Sequence, residues 1–165
     1  LKKAGLTLSD IQPVYLPPAD ARAAFEQGSV DAWAIWDPFY AAAEKGGKAR
    51  VLADGQGLVA NREFFFASRS FAKREPELIQ VLLEELKKVE QWANNDPKGV
   101  AEFLAPELGI DEQALETASR RHVYGIEPIT NEVISQQQII ADEFHTLGLL
   151  PKKLMVKDAV WHDSR

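Results

Sequence analysis

The chain contains no cysteine among its 165 residues. That excludes thiol catalysis, thiolate metal sites and disulfide staples, and it leaves the compartment open. Basic residues are outnumbered: 19 Lys and Arg stand against 25 Asp and Glu, a formal charge of −6. An acidic balance argues against nucleic acid or an anionic membrane as the main partner, because phosphate binding needs a basic face. Long hydrophobic runs are also missing. A purely apolar run such as Ala32–Trp36 falls far short of the roughly 20 residues a bilayer demands, so no membrane-spanning helix is expected. Histidines are few and far apart, at His122, His145 and His162. Asp142 and His145 are three apart on one predicted helix, but no second pair supports a metal site there. Ser, His and Asp all occur, yet no Gly-x-Ser-x-Gly nucleophile elbow does, and no catalytic site is expected.

What is present suits a folded chain. With 45% hydrophobic and 27% charged residues, the composition excludes collagen-like, mucin-like and wholly disordered classes. The length fits one ordinary domain or parts of two small lobes. The opening Leu1-Lys2-Lys3-Ala4-Gly5 reads as the tail of a helix ending at Gly5. The expectation is therefore a piece of a longer protein, in which the lack of a signal peptide carries no information.

The first third alternates short apolar strands with helices. Strands are predicted at Gln12–Leu16, Val30–Trp36, Arg50–Ala53 and Glu63–Ser68. Helices are predicted at about Ala19–Gln27, with Pro18 in the first turn and Gly28 as cap, and at Phe39–Lys45. This order reads as α/β with parallel pairing. From Pro76 the chain turns helical. Leu78, Ile79, Leu82, Leu83, Leu86, Val89 and Trp92 fall at helical spacing, and Asn94-Asn95-Asp96-Pro97 ends that helix. Further helices are expected at about Lys98–Ala105, Asp111–Arg121 and Thr130–Leu147. The internal boundary is placed near residue 62.

The pattern Gly55-x-Gly57-x-x-Ala60 superficially matches a dinucleotide fingerprint. That motif needs a helix to begin at the glycines, facing the pyrophosphate. Here Asn61-Arg62-Glu63 and Phe64-Phe65-Phe66 follow instead, so a plain loop is expected. Two strand ends are more informative, because ligands of parallel α/β sheets bind beyond the carboxyl ends of strands. One is Leu16-Pro17-Pro18-Ala19-Asp20-Ala21-Arg22, the other Trp33-Ala34-Ile35-Trp36-Asp37-Pro38-Phe39. The prolines fix both turns. Trp36 and Phe39 suit an apolar wall, and Asp37 suits either a helix cap or an acceptor for a cationic ligand group. Residue by residue, Asp20 and Asp37 read equally as helix-start residues and Trp33 as core; as a set at one rim, they point to a ligand site. The third stretch, Arg120-Arg121-His122-Val123-Tyr124-Gly125, places guanidinium groups and a hydroxyl at a helix end. Arg can grip an oxyanion with paired donors, and it is equally at home at a helix C-terminus.

Asp10–Phe25 with its Leu16-Pro17-Pro18-Ala19-Asp20-Ala21 stretch, followed by Val30-Asp31-Ala32-Trp33-Ala34-Ile35-Trp36-Asp37-Pro38, closely resembles the aliphatic sulfonate-binding proteins of bacterial ABC importers. Val51-Leu52, Phe64–Arg69 and Leu149-Leu150-Pro151-Lys152-Lys153 follow the same order. The resemblance runs over essentially the whole chain and covers about the C-terminal half of such a protein. It implies an α/β, type II periplasmic-binding-protein-like two-lobed fold, here a partial chain lacking the N-terminal half. On that template residues 1–62 are the remainder of the second lobe. Residues 63–165 are the hinge return strand and the C-terminal helices that complete the first lobe.

The resemblance further implies capture of an aliphatic sulfonate in an inter-lobe cleft and delivery to a membrane permease driven by an ATPase. No cofactor and no metal are required. It implies ligand-binding roles for Trp36, Asp37, Pro18, Asp20, Arg121 and Tyr124, a periplasmic or lipid-anchored extracellular location, and a monomer when full length. Rival readings on the same fold are a thiamine-pyrimidine-synthase-like enzyme, which would carry the Cys-rich motif this chain lacks, and the effector-sensing half of a transcription regulator. Taurine, nitrate, bicarbonate and a pyrimidine precursor are alternative ligands, since fold does not fix ligand.

Overall fold

The computed structural model describes residues 1–47 and 49–161; His162 lies outside the described residues. Among the described residues seven α-helices are formed: α1 (Pro18–Glu26), α2 (Phe39–Lys45), α3 (Arg69–Arg74), α4 (Pro76–Asn95), α5 (Pro97–Leu108), α6 (Glu112–Arg121) and α7 (Asn131–Thr146). The chain divides into two compact units, Leu1–Asn61 with Ala93–Val123, and Arg62–Trp92 with the segment from Tyr124 onward.

The helices begin where local chemistry starts them. Pro18 opens α1, its fixed φ suited to the first turn and its missing N–H no loss there. Asp96, Asp111 and Thr130 cap α5, α6 and α7 by accepting the N–H groups of Gly99, Ala114 and Val133 at 2.9, 3.1 and 3.3 Å. Helix α3 was not expected. Ser68, read as the end of a strand, instead caps it by accepting the Phe71 N–H at 3.2 Å. The opening residues form a single 3₁₀ turn, Lys2–Ala4, closed by Gly5 at a φ of 71°.

The four predicted strands are the main correction. Gln12–Leu16, Val30–Trp36, Arg50–Ala53 and Glu63–Ser68 belong to no strand or bridge among the described residues. Most of their residues run without regular structure. A strand exists only through a neighbour's backbone, and these segments find none. Their apolar side chains stay in solvent as a result: Tyr15 is 84% exposed, Leu52 72% and Phe66 90%.

The first unit's core lies where α5 and α6 pack together and α2 packs on α6. Its buried residues are small: Ala41, Ala93, Val100, Ala101, Ala114, Leu115 and Ser119. In the second unit Ala72 and Val133 are buried. There Arg69 donates to the carbonyl of Asp158 at 2.7 Å, and Gln138 ties α7 to Leu154 and Val156 at 2.8 and 2.9 Å. The Gly55–Gly57 segment is a turn, with the Leu58 and Val59 N–H groups donating to the Gly55 carbonyl, and residues 60–67 that follow are not helical.

Candidate functional site

The candidate site is built on the turn from the irregular segment 32–36 into α2. The Asp37 carboxylate accepts the Ala41 N–H at 2.9 Å, and the Tyr40 N–H donates to the Trp36 carbonyl at 3.0 Å. These two bonds start the helix and fix the backbone that follows Trp36. Trp36 is 61% exposed, and its ring meets Phe39 edge-on, ring centres 6.3 Å apart. The two aromatic residues singled out in the sequence thus lie in contact, with Trp36 largely in solvent.

Arg121, at the end of α6, comes to this turn from 84 residues away. Its guanidinium hydrogen-bonds Glu44, lies 3.7 Å from the Asp37 carboxylate and stacks over the Tyr40 ring at 4.6 Å from its centre. The Tyr40 hydroxyl donates to Glu44 at 3.1 Å. Partial burial works against the Arg121 charge, but the Glu44 bond and the nearby Asp37 outweigh it and hold its pKa above the ordinary value. Removal from water raises the Tyr40 phenol, and its bond to Glu44 raises it further. At the other end of α6, Lys45 bonds Asp111 at 2.6 Å, and that bond together with the Ala114 N–H keeps the Asp111 carboxyl below the usual aspartate value. Helix α6 is therefore fastened to α2 through both of its ends.

A groove of about 460 Å³ in the same unit is bounded by Phe25, Trp33, Ile35, Tyr40, Val51 and Leu52 among others, with Glu44 on its wall. Phe25 and Trp33 meet with ring centres 6.1 Å apart.

Of the sequence-derived site residues, Asp37 and Arg121 are brought together and Trp36 adjoins them. Pro18 is at the first position of α1, half-buried, and Asp20 lies exposed in its first turn. Among the described residues neither bonds the Asp37–Arg121 cluster. Tyr124 is half-buried and opens the second unit's later segment. Sequence reasoning missed Tyr40 and Glu44. Their spacing of three and seven from Asp37 places them along one side of α2, a signal that was readable once Asp37 was singled out. Asp142 is occupied by Gln138, whose amide donates at 3.0 Å, and among the described residues no group of three His, Asp or Glu is placed to hold a metal ion.

A family model described as the NMT1-like family matches residues 1–105. The chain belongs to that family. An Escherichia coli (strain K12) relative named as an aliphatic sulfonates-binding protein is 39% identical over the whole of this chain, which covers 52% of it. Among solved structures, the periplasmic aliphatic sulphonate binding protein SsuA from Escherichia coli superposes with a TM-score of 0.93 at 38% identity, over 100% of this chain and 54% of that one. The alkanesulfonate-binding protein SsuA from Xanthomonas axonopodis pv. citri, bound to MOPS, gives 0.87 at 39% identity, over 98% of this chain and 56% of its own. The expected resemblance and the type II periplasmic-binding-protein-like fold both hold. These family members are named as binding proteins, not as enzymes. The chain spans about half the length of the curated relatives it matches. Among the described residues no helix is long and apolar enough to cross a membrane.

Proposed function

We propose that the chain is the C-terminal half of the solute-binding component of an ABC importer, which captures an aliphatic sulfonate and delivers it to the permease and its ATPase. The observation that carries the reading is the identity of 39% along the full chain to a relative named for aliphatic sulfonates. The site agrees with that chemistry. A sulfonate is charged at all working pH values and needs preorganised donors, while its alkyl tail needs an exposed apolar surface. Trp36 with Phe39 offers that surface. Asp37, Pro18 and Asp20 border the proposed site, and Arg121 and Tyr124 are its further members on the family resemblance. The role is binding without catalysis, in the periplasm or on a lipid anchor outside the cell, by a protein that is a monomer when full length. Residues 1–62 are proposed as part of the second lobe. Helices α5 and α6, compact with Leu1–Asn61, join that lobe in this proposal, and the segments on either side of them belong to the first.

The test is a tryptophan-fluorescence titration of the full-length protein with short alkanesulfonates, sulfate, taurine and nitrate. Saturable quenching by alkanesulfonates, lost in a folded Trp36→Phe variant, is expected. No heat of sulfonate binding in calorimetry on the same folded protein would defeat the substrate assignment, and binding of nitrate or taurine alone would move it to that anion.

A further inference from the structure

Resting on the sulfonate reading, we propose that Arg121 is a positioning residue that fixes the Trp36–Asp37 turn to receive the ligand's tail, and that it does not itself grip the sulfonate. Its guanidinium is already engaged by Glu44 and Asp37 and stacked on Tyr40. One guanidinium between two carboxylates leaves the cluster with a formal charge of −1, a poor place to receive another anion.

Each of these partners leads to Trp36. Asp37 is its neighbour in the chain, and the Tyr40 N–H holds its carbonyl. Glu44 accepts from the Tyr40 hydroxyl and so closes the ring of contacts. Trp36 is mostly in solvent, so the edge-on contact with Phe39 only partly sets the direction of its ring. The turn that follows Trp36, whose carbonyl is held by the Tyr40 N–H, sets the rest, and Arg121 is the group that secures that turn from another helix. A lysine would keep the charge but lose the planar stack on Tyr40 and the simultaneous reach to Glu44 and Asp37.

The test uses the full-length protein and two probes, methanesulfonate, which has almost no tail, and hexanesulfonate. Titration calorimetry is run on Arg121→Lys, Arg121→Met, Trp36→Phe and the Arg121→Met/Trp36→Phe pair, with circular dichroism and thermal unfolding to establish folding. Contacting residues are coupled strongly enough that a loss of about tenfold is expected for hexanesulfonate in both Arg121 variants. Methanesulfonate affinity is expected to change by less than about twofold, and Arg121→Met to add little once Trp36 is Phe, because coupled residues are non-additive. Equal losses for both sulfonates with rescue by Lys would overturn the proposal in favour of a direct grip, and additive losses in the double variant would overturn it too. If Arg121→Met fails to fold, Arg121→Lys carries the same comparison. If the wild-type protein binds no sulfonate, the functional reading fails separately. The positioning role is then read from the near-ultraviolet dichroism of Trp36, taken as wild type minus Trp36→Phe: it must change in Arg121→Lys, and an unchanged band overturns the proposal.

Discussion

At Asp37 a single carboxylate does two jobs, accepting the Ala41 N–H and facing Arg121. The two are separable by substitution. Asp37→Ala removes both and is expected to destabilise the full-length protein by about 1 kcal/mol, the usual cost of losing a helix-starting acceptor. Asp37→Asn keeps an acceptor for Ala41 and loses only the charge, so it should cost a fraction of that, as half-exposed ion pairs contribute little. Urea unfolding of the two variants checks the order, and equal losses would mean the charge, not the acceptor, matters. The sequence revealed Asp37 because an acidic residue between Trp and Pro at a strand end has few reasons to be there. It did not reveal Glu44 or Tyr40 as partners of Arg121, since nothing local connects residues 77 and 81 positions away from it.

Helix α6 shows what is legible at the level of an element. Its span was read within one residue because Asp111 before it and Arg120-Arg121 at its end are strong boundary signals. The same holds for α2, predicted at its observed limits, and for the stop of α4 before Asp96-Pro97. The strands were misread for the opposite reason: alternation and β-branched content report a segment's fitness for a sheet, while pairing depends on a distant backbone. Ser68 shows the local ambiguity, ending an apolar run and capping a helix at once. For α6 the expected outcome follows from Asp111, whose folded carboxyl ionises below the usual aspartate range. Its contribution is fully present above that range and is lost as pH falls through the lowered value. Hydrogen exchange at the Ala114 amide should therefore stay slow from neutral pH into the mildly acidic range and quicken only at lower pH, once intrinsic exchange is subtracted. In Asp111→Ala, which loses the cap and the Lys45 bond, exchange should be faster at every pH.

For the molecule as a whole, exposed surface is the informative quantity. The chain shows 12922 Å² to solvent. A compact protein of 18.4 kDa would show about 8,200 Å², and two separate globules sharing that mass about 9,900 Å². Segments without regular structure contribute exposed apolar surface, as does a half-exposed stripe on α4 formed by Leu78, Val81, Leu82, Val89 and Trp92. The 165-residue chain on its own is accordingly expected to bind a hydrophobic dye and to unfold over a broad range. A sharp calorimetric transition with no dye binding would contradict this, and the full-length protein should show the sharp transition. Among the described residues the core consists mainly of alanine: five of the eight buried hydrophobic residues are Ala41, Ala72, Ala93, Ala101 and Ala114. Ala101, fully buried in the unit where α5 packs on α6, has no room for a longer side chain, and Ala101→Leu should cost about 1–3 kcal/mol by crowding. A mutational scan of this core would accordingly read in reverse of the familiar pattern. Truncation has little left to remove there, so enlargement is the hazard, and sequence drift at those positions is confined to the smallest members of the amino-acid alphabet.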